Sequence, residues 1–464
     1  MIPDEAPDLY TVREGEAIEP PTNFGSRLKY LGPSLIISGA IIGSGELILT
    51  SRLGAVAGWA LLWWMLVSCW SKSLVQAEVT RYIVISGDTY FRAINRIPIR
   101  VGRVSLPLFL GLLAYIPGTM GLGGILGAGA VAFSFLASVA GVEIHPYWSG
   151  IGIAVVTSII LSAGSYKALE RIMVCIVVLF TCTTLVCAIA MQFTEFSVTA
   201  SDLARGFTFN FSEVLLFAAL AFSAYGYTGM ASGDIAAYSF WCVEKGYPSF
   251  IGSDRDDPNW PARARGWLKV VQTDVWLGLC VLTLATIPYY VLGAGVLNKM
   301  GLEPSHDELI SQLSNMFTQT LGQWAVWVFS IGAFFILFST VISGIGGGGR
   351  FIPDYLIETG VIKRSNIDLR KKIVRWYVGI LPLVSFGFYM WIKNPVILIM
   401  IGGITSALLL PIQTASTLWL HKNKLDPRVR HGQATRIGMW VIFSFQAIMV
   451  FFVVWYVVIK PRLG

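Results

Sequence analysis

The sequence predicts an all-α polytopic membrane protein of eleven transmembrane helices, arranged as two five-helix halves of opposite polarity plus one extra helix. Three observations carry this: the composition, the number of apolar runs, and two glycine-punctuated interruptions five spans apart. Of 464 residues, 55% are hydrophobic and 13% charged, with a mean hydropathy of +0.66. A soluble domain carries roughly 25% charged residues, so this chain cannot clothe a water-facing surface. Soluble enzymes, disordered chains and disulfide scaffolds are excluded. The net charge of +7 belongs to loops between spans rather than to a nucleic-acid surface.

A bilayer-crossing helix needs about 20 apolar residues. Such runs fall near 31–55, 59–85, 105–135, 147–165, 169–193, 212–241, 268–297, 322–349, 373–392, 395–420 and 437–459. Residues 1–30 are polar and Pro-rich, lack the apolar core of a signal peptide, and read as a cytoplasmic tail. With that tail inside, the inner segments 1–29, 81–103, 166–171, 245–269, 350–375 and 421–436 hold 27 of the 34 Lys and Arg residues. That asymmetry obeys the positive-inside rule and predicts a cell-membrane protein with its amino terminus cytoplasmic and its carboxy terminus external. A shift of one span would destroy it. On this count residues 31–193 form the first five-helix repeat, 194–420 the second, and 421–464 the eleventh helix and the carboxy terminus.

The remaining chemistry-bearing residues exclude more than they offer. Six scattered cysteines contain no CxxC, against a disulfide framework or a thiolate metal cluster. The histidines, at 145, 306, 421 and 431, lie outside the long apolar runs, which excludes a histidine-lined intramembrane site. No nucleophile–base pair stands out, so neither an enzyme nor a resident cofactor is expected. Gly344, Gly346 and Gly349 satisfy GxGxxG without the strand–helix unit that a dinucleotide site needs.

Two spans are interrupted at their centres. The first reads Gly43-Ser44-Gly45 followed by Glu46; the sixth reads Gly229-Met230-Ala231-Ser232-Gly233 followed by Asp234. Five spans apart, the breaks enter the membrane with opposite polarity, the pattern that marks the substrate site of secondary transporters. Unwound backbone is tolerated at membrane depth where it lines a cavity or meets a ligand, and half-helix ends contribute about half a unit charge of either sign. Such a site can hold a cation on carbonyls or a carboxylate on amides. The bland alternative is that the glycines serve close helix packing. Glu46 reads as a cation ligand or proton carrier, or as a helix-capping acid; Asp234 has the same two readings. Glu78, three residues before Arg81, is expected to pair with it near the inner interface. Lys72 either snorkels or faces a cavity. Asp274 either faces the interior of span seven or lies near its cytoplasmic end.

At these residues the chain resembles the Nramp family of divalent-metal transporters, particularly its divergent bacterial branch. Gly32-Pro33 is followed, at the distance of the family's Asp-Pro-Gly-Asn break, by Gly43-Ser44-Gly45-Glu46, and Gly54-Ala55 closes the segment. The resemblance implies a leucine-transporter/APC-like fold of two inverted five-helix repeats, alternating access, and a divalent metal ion as transported substrate. On the family pattern the metal-binding Asp falls on Gly43, the Asn on Glu46, and Met-Pro-His on Met230-Ala231-Ser232. The family's span-three acids have no counterpart in Tyr115–Gly124. The implied substrate site comprises Gly43, Ser44, Gly45, Glu46, Gly229, Met230, Ser232 and Asp234, with charge from Glu46, sulfur from Met230, and carbonyl oxygens near Gly43 and Gly229. These departures imply a partly hydrated ion of the Mg²⁺/Mn²⁺ type, altered selectivity, and weak or absent proton coupling. Gly39–Gly45 and Phe222–Gly226 also look like the broken spans of amino-acid/polyamine/organocation permeases. There the Gly-Ser-Gly amides would receive a substrate carboxylate and Glu46 or Asp234 an amine, so an amino-acid or small organic solute transporter is the alternative.

Overall fold

The structure is a computed structural model and describes residue 10 and residues 17–31, 43–164 and 167–459. The first half of the expected first span, including Gly32-Pro33, lies outside the described residues. From Gly43 onward the apolar runs become helices. A π-helical turn, Gly45–Thr50, leads into α1 (Ser51–Ala57) and then α2 (Leu62–Ser86). The first half continues with α3 (Leu106–Val139), α4 (Pro146–Ala163) and α5 (Lys167–Ala190). The expected sixth span is divided into α6 (Ala218–Tyr227) and α7 (Ser232–Glu244). Beyond it come α8 (Trp260–Leu292), α9 (Ala325–Glu358), α10 (Ile367–Ile392), α11 (Pro395–Asn423) and α12 (Gln433–Val453).

Among the described residues nine helices are long and apolar enough to cross a bilayer. The eleven-span expectation differs from that number at two places. The first expected span is only half described, and the sixth is in pieces.

Proline and polar caps set several helix starts. Pro146 and Pro395 occupy the first turns of α4 and α11, where a missing N–H costs nothing, and the Asn394 side chain accepts from Ile397 N at 3.2 Å. Lipid contact is written on the outer faces. Trp148, Trp324 and Trp391 are each more than half exposed and sit at helix ends, as an interfacial aromatic belt requires.

Packing follows an offset of five expected spans. Helix α2 lies on α8, α3 on α9, and α4 on α10, so each helix meets the one five expected spans further on. Helix α11 lies against both α3 and α6. Small residues permit this closeness, as is usual where no hydrophobic effect drives helices together. At Gly124 of α3 a Cβ would lie 2.6 Å from Ile399 N and 2.7 Å from Pro395 O, backbone atoms that no rotamer change can move. Gly124→Ala is therefore expected to cost about 1–3 kcal/mol by overpacking, read as a lowered thermal midpoint of the detergent-purified chain.

Candidate substrate site at the helix breaks

Helix α6 stops because the chain leaves helical space after Tyr227. Thr228 is extended, with φ −70° and ψ 132°, and Gly229 has φ +72°. A side chain at Gly229 would be strained by that angle and would also meet Cys69 at 3.3 Å. The helix resumes at Ser232, where the Asp234 carboxylate reaches back to accept from Ala231 N at 3.0 Å. One oxygen of Asp234 thus caps α7.

The described start of the first span, from Gly43, lies directly against this break. A Cβ at Gly45 would sit 2.8 Å from Tyr227 O, so only glycine admits the approach. The Thr50 and Thr228 hydroxyls are 2.8 Å apart. Glu46 is fully buried, and its two carboxylate oxygens accept from Gly43 N at 3.2 Å and Gly229 N at 3.0 Å. One side chain therefore caps the amide at the described start of the first span and the amide at the break of the sixth.

Lys72 does the converse at the end of α6. Fully buried, its ammonium donates to Tyr225 O and Thr228 O, both at 2.5 Å. The Ser68 hydroxyl reaches the same two carbonyls at 3.0 and 3.1 Å, and Ser406 Oγ takes Gly226 O at 2.9 Å. The carbonyls freed by unwinding are thus held by an ammonium and two hydroxyls of the protein. Lys72 faces the break rather than snorkelling to an interface.

Beside this junction a cavity of about 310 Å³ runs between α3, α7, α9 and α11 toward the end of the molecule that carries Tyr90 and Tyr355. Its polar wall includes Ser44, Ser232, Asp234, Thr340 and Gln413, and its aromatic wall Tyr115, Tyr227, Trp241 and Tyr377. The Gln413 amide donates to Tyr90 OH at 2.8 Å and Ser232 O at 3.4 Å, while its oxygen is buried without a partner. An acceptor left so costs about 1–3 kcal/mol, which a ligand can recover. Among the described lining residues Asp234 is the single charged side chain.

The eight positions singled out from sequence divide in three. Ser44, Gly45, Ser232 and Asp234 line the cavity, while Gly43, Glu46 and Gly229 form the junction behind it. Met230 is 1% exposed and does not line the cavity. Asp274 is also buried off the cavity and accepts from Tyr238 OH at 2.8 Å. Sequence reasoning passed over Ser68, Ser406 and Gln413; a glutamine inside an apolar run was the available signal.

One exclusion needs correction. Glu78 does pair with Arg81, at 3.0 Å, but His421, only 3% exposed at the end of α11, packs against the same carboxylate together with His431. Histidine is therefore present inside the helical bundle, because α11 extends past the apolar run and carries His421 to α2.

A span divided at Gly229, packed against the start of another helix beside a polar cavity and within a bundle of membrane-length helices, is the arrangement expected of a transporter. The chain belongs to the Nramp family: the profile described as Natural resistance-associated macrophage protein-like matches residues 34–457. It is accordingly a multi-pass divalent-metal transporter and not an enzyme. An uncharacterized protein of Pasteurella multocida is 25% identical over 334 residues, which is 70% of either chain. A crystal structure of a His-to-Ala mutant of the Eremococcus coleocola manganese transporter shares the fold, with TM-score 0.67, 14% identity, and coverage of 98% of this chain and 93% of that one. MhsT in complex with L-phenylalanine matches with TM-score 0.56, 15% identity, and coverage of 95% and 99%. At these identities the structural likeness speaks for fold alone.

The junction makes two predictions. Lys72→Met leaves Tyr225 O and Thr228 O to share the single Ser68 hydroxyl hydrogen and should lower stability by about 1–3 kcal/mol for the group left unpaired, measured as thermal unfolding in detergent. Glu46→Gln turns one acceptor toward an amide as a donor. Its uptake in proteoliposomes should fall at least about tenfold, in proportion to the lost charge-assisted hydrogen bond, with purified yield retained.

Proposed function

We propose that the cargo is a partly hydrated divalent cation of the Mg²⁺/Mn²⁺ type, bound in the cavity beside the breaks and moved by alternating access. The observation that carries this reading is that, among the described lining residues, the cavity holds a single charge, the Asp234 carboxylate, beside neutral oxygen donors. Hard cations prefer carboxylate, carbonyl, hydroxyl and water oxygens, and Ser44, Ser232, Thr340 and the Gln413 oxygen supply them. A volume of about 310 Å³ admits an ion together with much of its hydration shell, since one water needs only about 10–15 Å³ measured in this way. In this reading Glu46 is a structural counter-charge rather than a ligand, and the Met230 sulfur makes no contact with the ion.

Weak or absent proton coupling is the corresponding proposal. The part of α3 that lines the cavity, including Tyr115, Thr119 and Leu122, offers no carboxylic acid to relay a proton. The half-helices at the two breaks would rock against α3, α4, α9 and α10. The cavity runs toward the end that bears the basic loops, and we place that end in the cytoplasm.

An organic solute is the second reading, favoured by the aromatic wall. Against it, a substrate carboxylate would have to displace Glu46 from the Gly43 and Gly229 amides.

Flux of Mg²⁺ and Mn²⁺ into proteoliposomes separates these. Asp234→Asn should cut uptake at least about tenfold, as loss of the one anionic ligand requires. Met230→Leu should leave the apparent KM within about twofold, because Leu and Met are near-isosteric. An imposed pH gradient should leave the rate unchanged. Competition by amino acids, indifferent to chelators, would instead establish the organic solute.

A further inference from the structure

A second constellation lies apart from the cavity, where α2, the end of α11 and the segment leading into α12 come together. Three side chains meet there, nearly sealed from solvent: Glu78, His421 and His431, with 2%, 4% and 7% of their side-chain surfaces exposed. His431 Nδ1 lies 2.9 Å from Glu78 Oε2, His421 Nδ1 lies 3.5 Å from the same oxygen, and the two Nδ1 atoms are 2.8 Å apart.

The hydrogen bonds assign the ring tautomers. His421 Nε2 is 2.8 Å from the Glu78 backbone carbonyl, which can only accept, so Nε2 carries the hydrogen and Nδ1 presents a lone pair. That is the outer-shell arrangement by which proteins orient a metal-binding imidazole. A hydrogen on His431 Nδ1 then serves both the His421 lone pair and the Glu78 carboxylate. Arg81 holds the carboxylate from behind, with Nε 3.0 Å from Oε2, and its other nitrogen reaches Val429 O at 3.4 Å. One hydrogen thus sits at the centre of a triangle of three potential ligand atoms.

We propose that Glu78, His421 and His431 form a binding site for a transition-metal ion of the Zn²⁺ or Co²⁺ class, separate from the transported cargo. The ion takes the place of the shared hydrogen, which moves to Nε2 as the His431 ring changes tautomer. Ligand atoms about 2.0–2.1 Å from a tetrahedral zinc ion stand roughly 3.3 Å from one another. The three edges, 2.8, 2.9 and 3.5 Å, bracket that spacing, so the ligand atoms need move only a few tenths of an ångström apart. Water completes the fourth position, as at zinc sites with three protein ligands. Two imidazoles and one carboxylate select against Mg²⁺, which demands oxygen and keeps its waters. The site is thus chemically distinct from the all-oxygen cavity, and the inference holds whatever that cavity carries. A bound ion would tie α2 to the end of α11 and to the segment before α12.

The test uses the full-length chain, stripped with chelator and titrated with Co²⁺. Parent protein should develop the visible absorption bands of nitrogen-ligated, low-coordinate Co²⁺. His431→Ala should lose them and Asp234→Asn should keep them. Absence of bands in the parent, their persistence in His431→Ala, or their loss in Asp234→Asn overturns the assignment. Should His431→Ala not fold, zinc-edge X-ray absorption of the loaded parent decides. Imidazole scattering supports the site, and an all-oxygen shell overturns it.

Discussion

The whole arrangement depends on burying helix ends of opposite sign next to each other. An unwound span leaves amides on one side and carbonyls on the other, each end bearing about half a unit charge. Lipid offers neither any partner. The chain answers with two ions of its own, the Glu46 carboxylate on the Gly43 and Gly229 amides and the Lys72 ammonium on the carbonyls that end α6. Neither ion would be tolerable in that interior unpaired, and each satisfies backbone groups that unwinding leaves free. Breaks and ions are therefore a single unit, and what remains for cargo is the chemistry that this unit does not use.

That division bears on how charge is distributed relative to the family pattern. Where the resemblance places a metal-binding Asp, Gly43 stands. The nearest acid comes three residues later and turns toward backbone. The cavity's negative charge comes instead from the second break, through Asp234, one of whose oxygens also caps α7. Oxygen donors cluster on the cavity side of the junction, and the Met230 thioether is packed away from it.

The location of the sixth-span break was legible because a glycine-rich motif followed by an acid is a local feature, and helix interruption is a local event. The direction in which each charge turns was not. Glu46 takes its orientation from Gly229, 183 residues away, and Lys72 from carbonyls 153 and 156 residues away. A hydropathy window contains neither partner. The same limit explains the histidines. His421 falls just past an apolar run, and only the packing of α11 on α2 reveals that it ends beside Glu78, 343 residues distant. Gln413 and Ser406 were missed for a related reason. Each is a single polar residue in an apolar helix, and its value depends on which neighbour presents an unmatched group.

Tyr227, the last residue of α6, has a mechanical consequence. A methyl group on either Gly121 of α3 or Gly402 of α11 would collide with its phenol oxygen, so the ring is seated in a slot only as wide as two bare backbones permit. Any swing of α6 must first draw this ring out sideways or carry both slot walls along with it. Tyr227 thus works as a bolt, and the depth of its seat sets how far the half-helix can turn before the bundle must part.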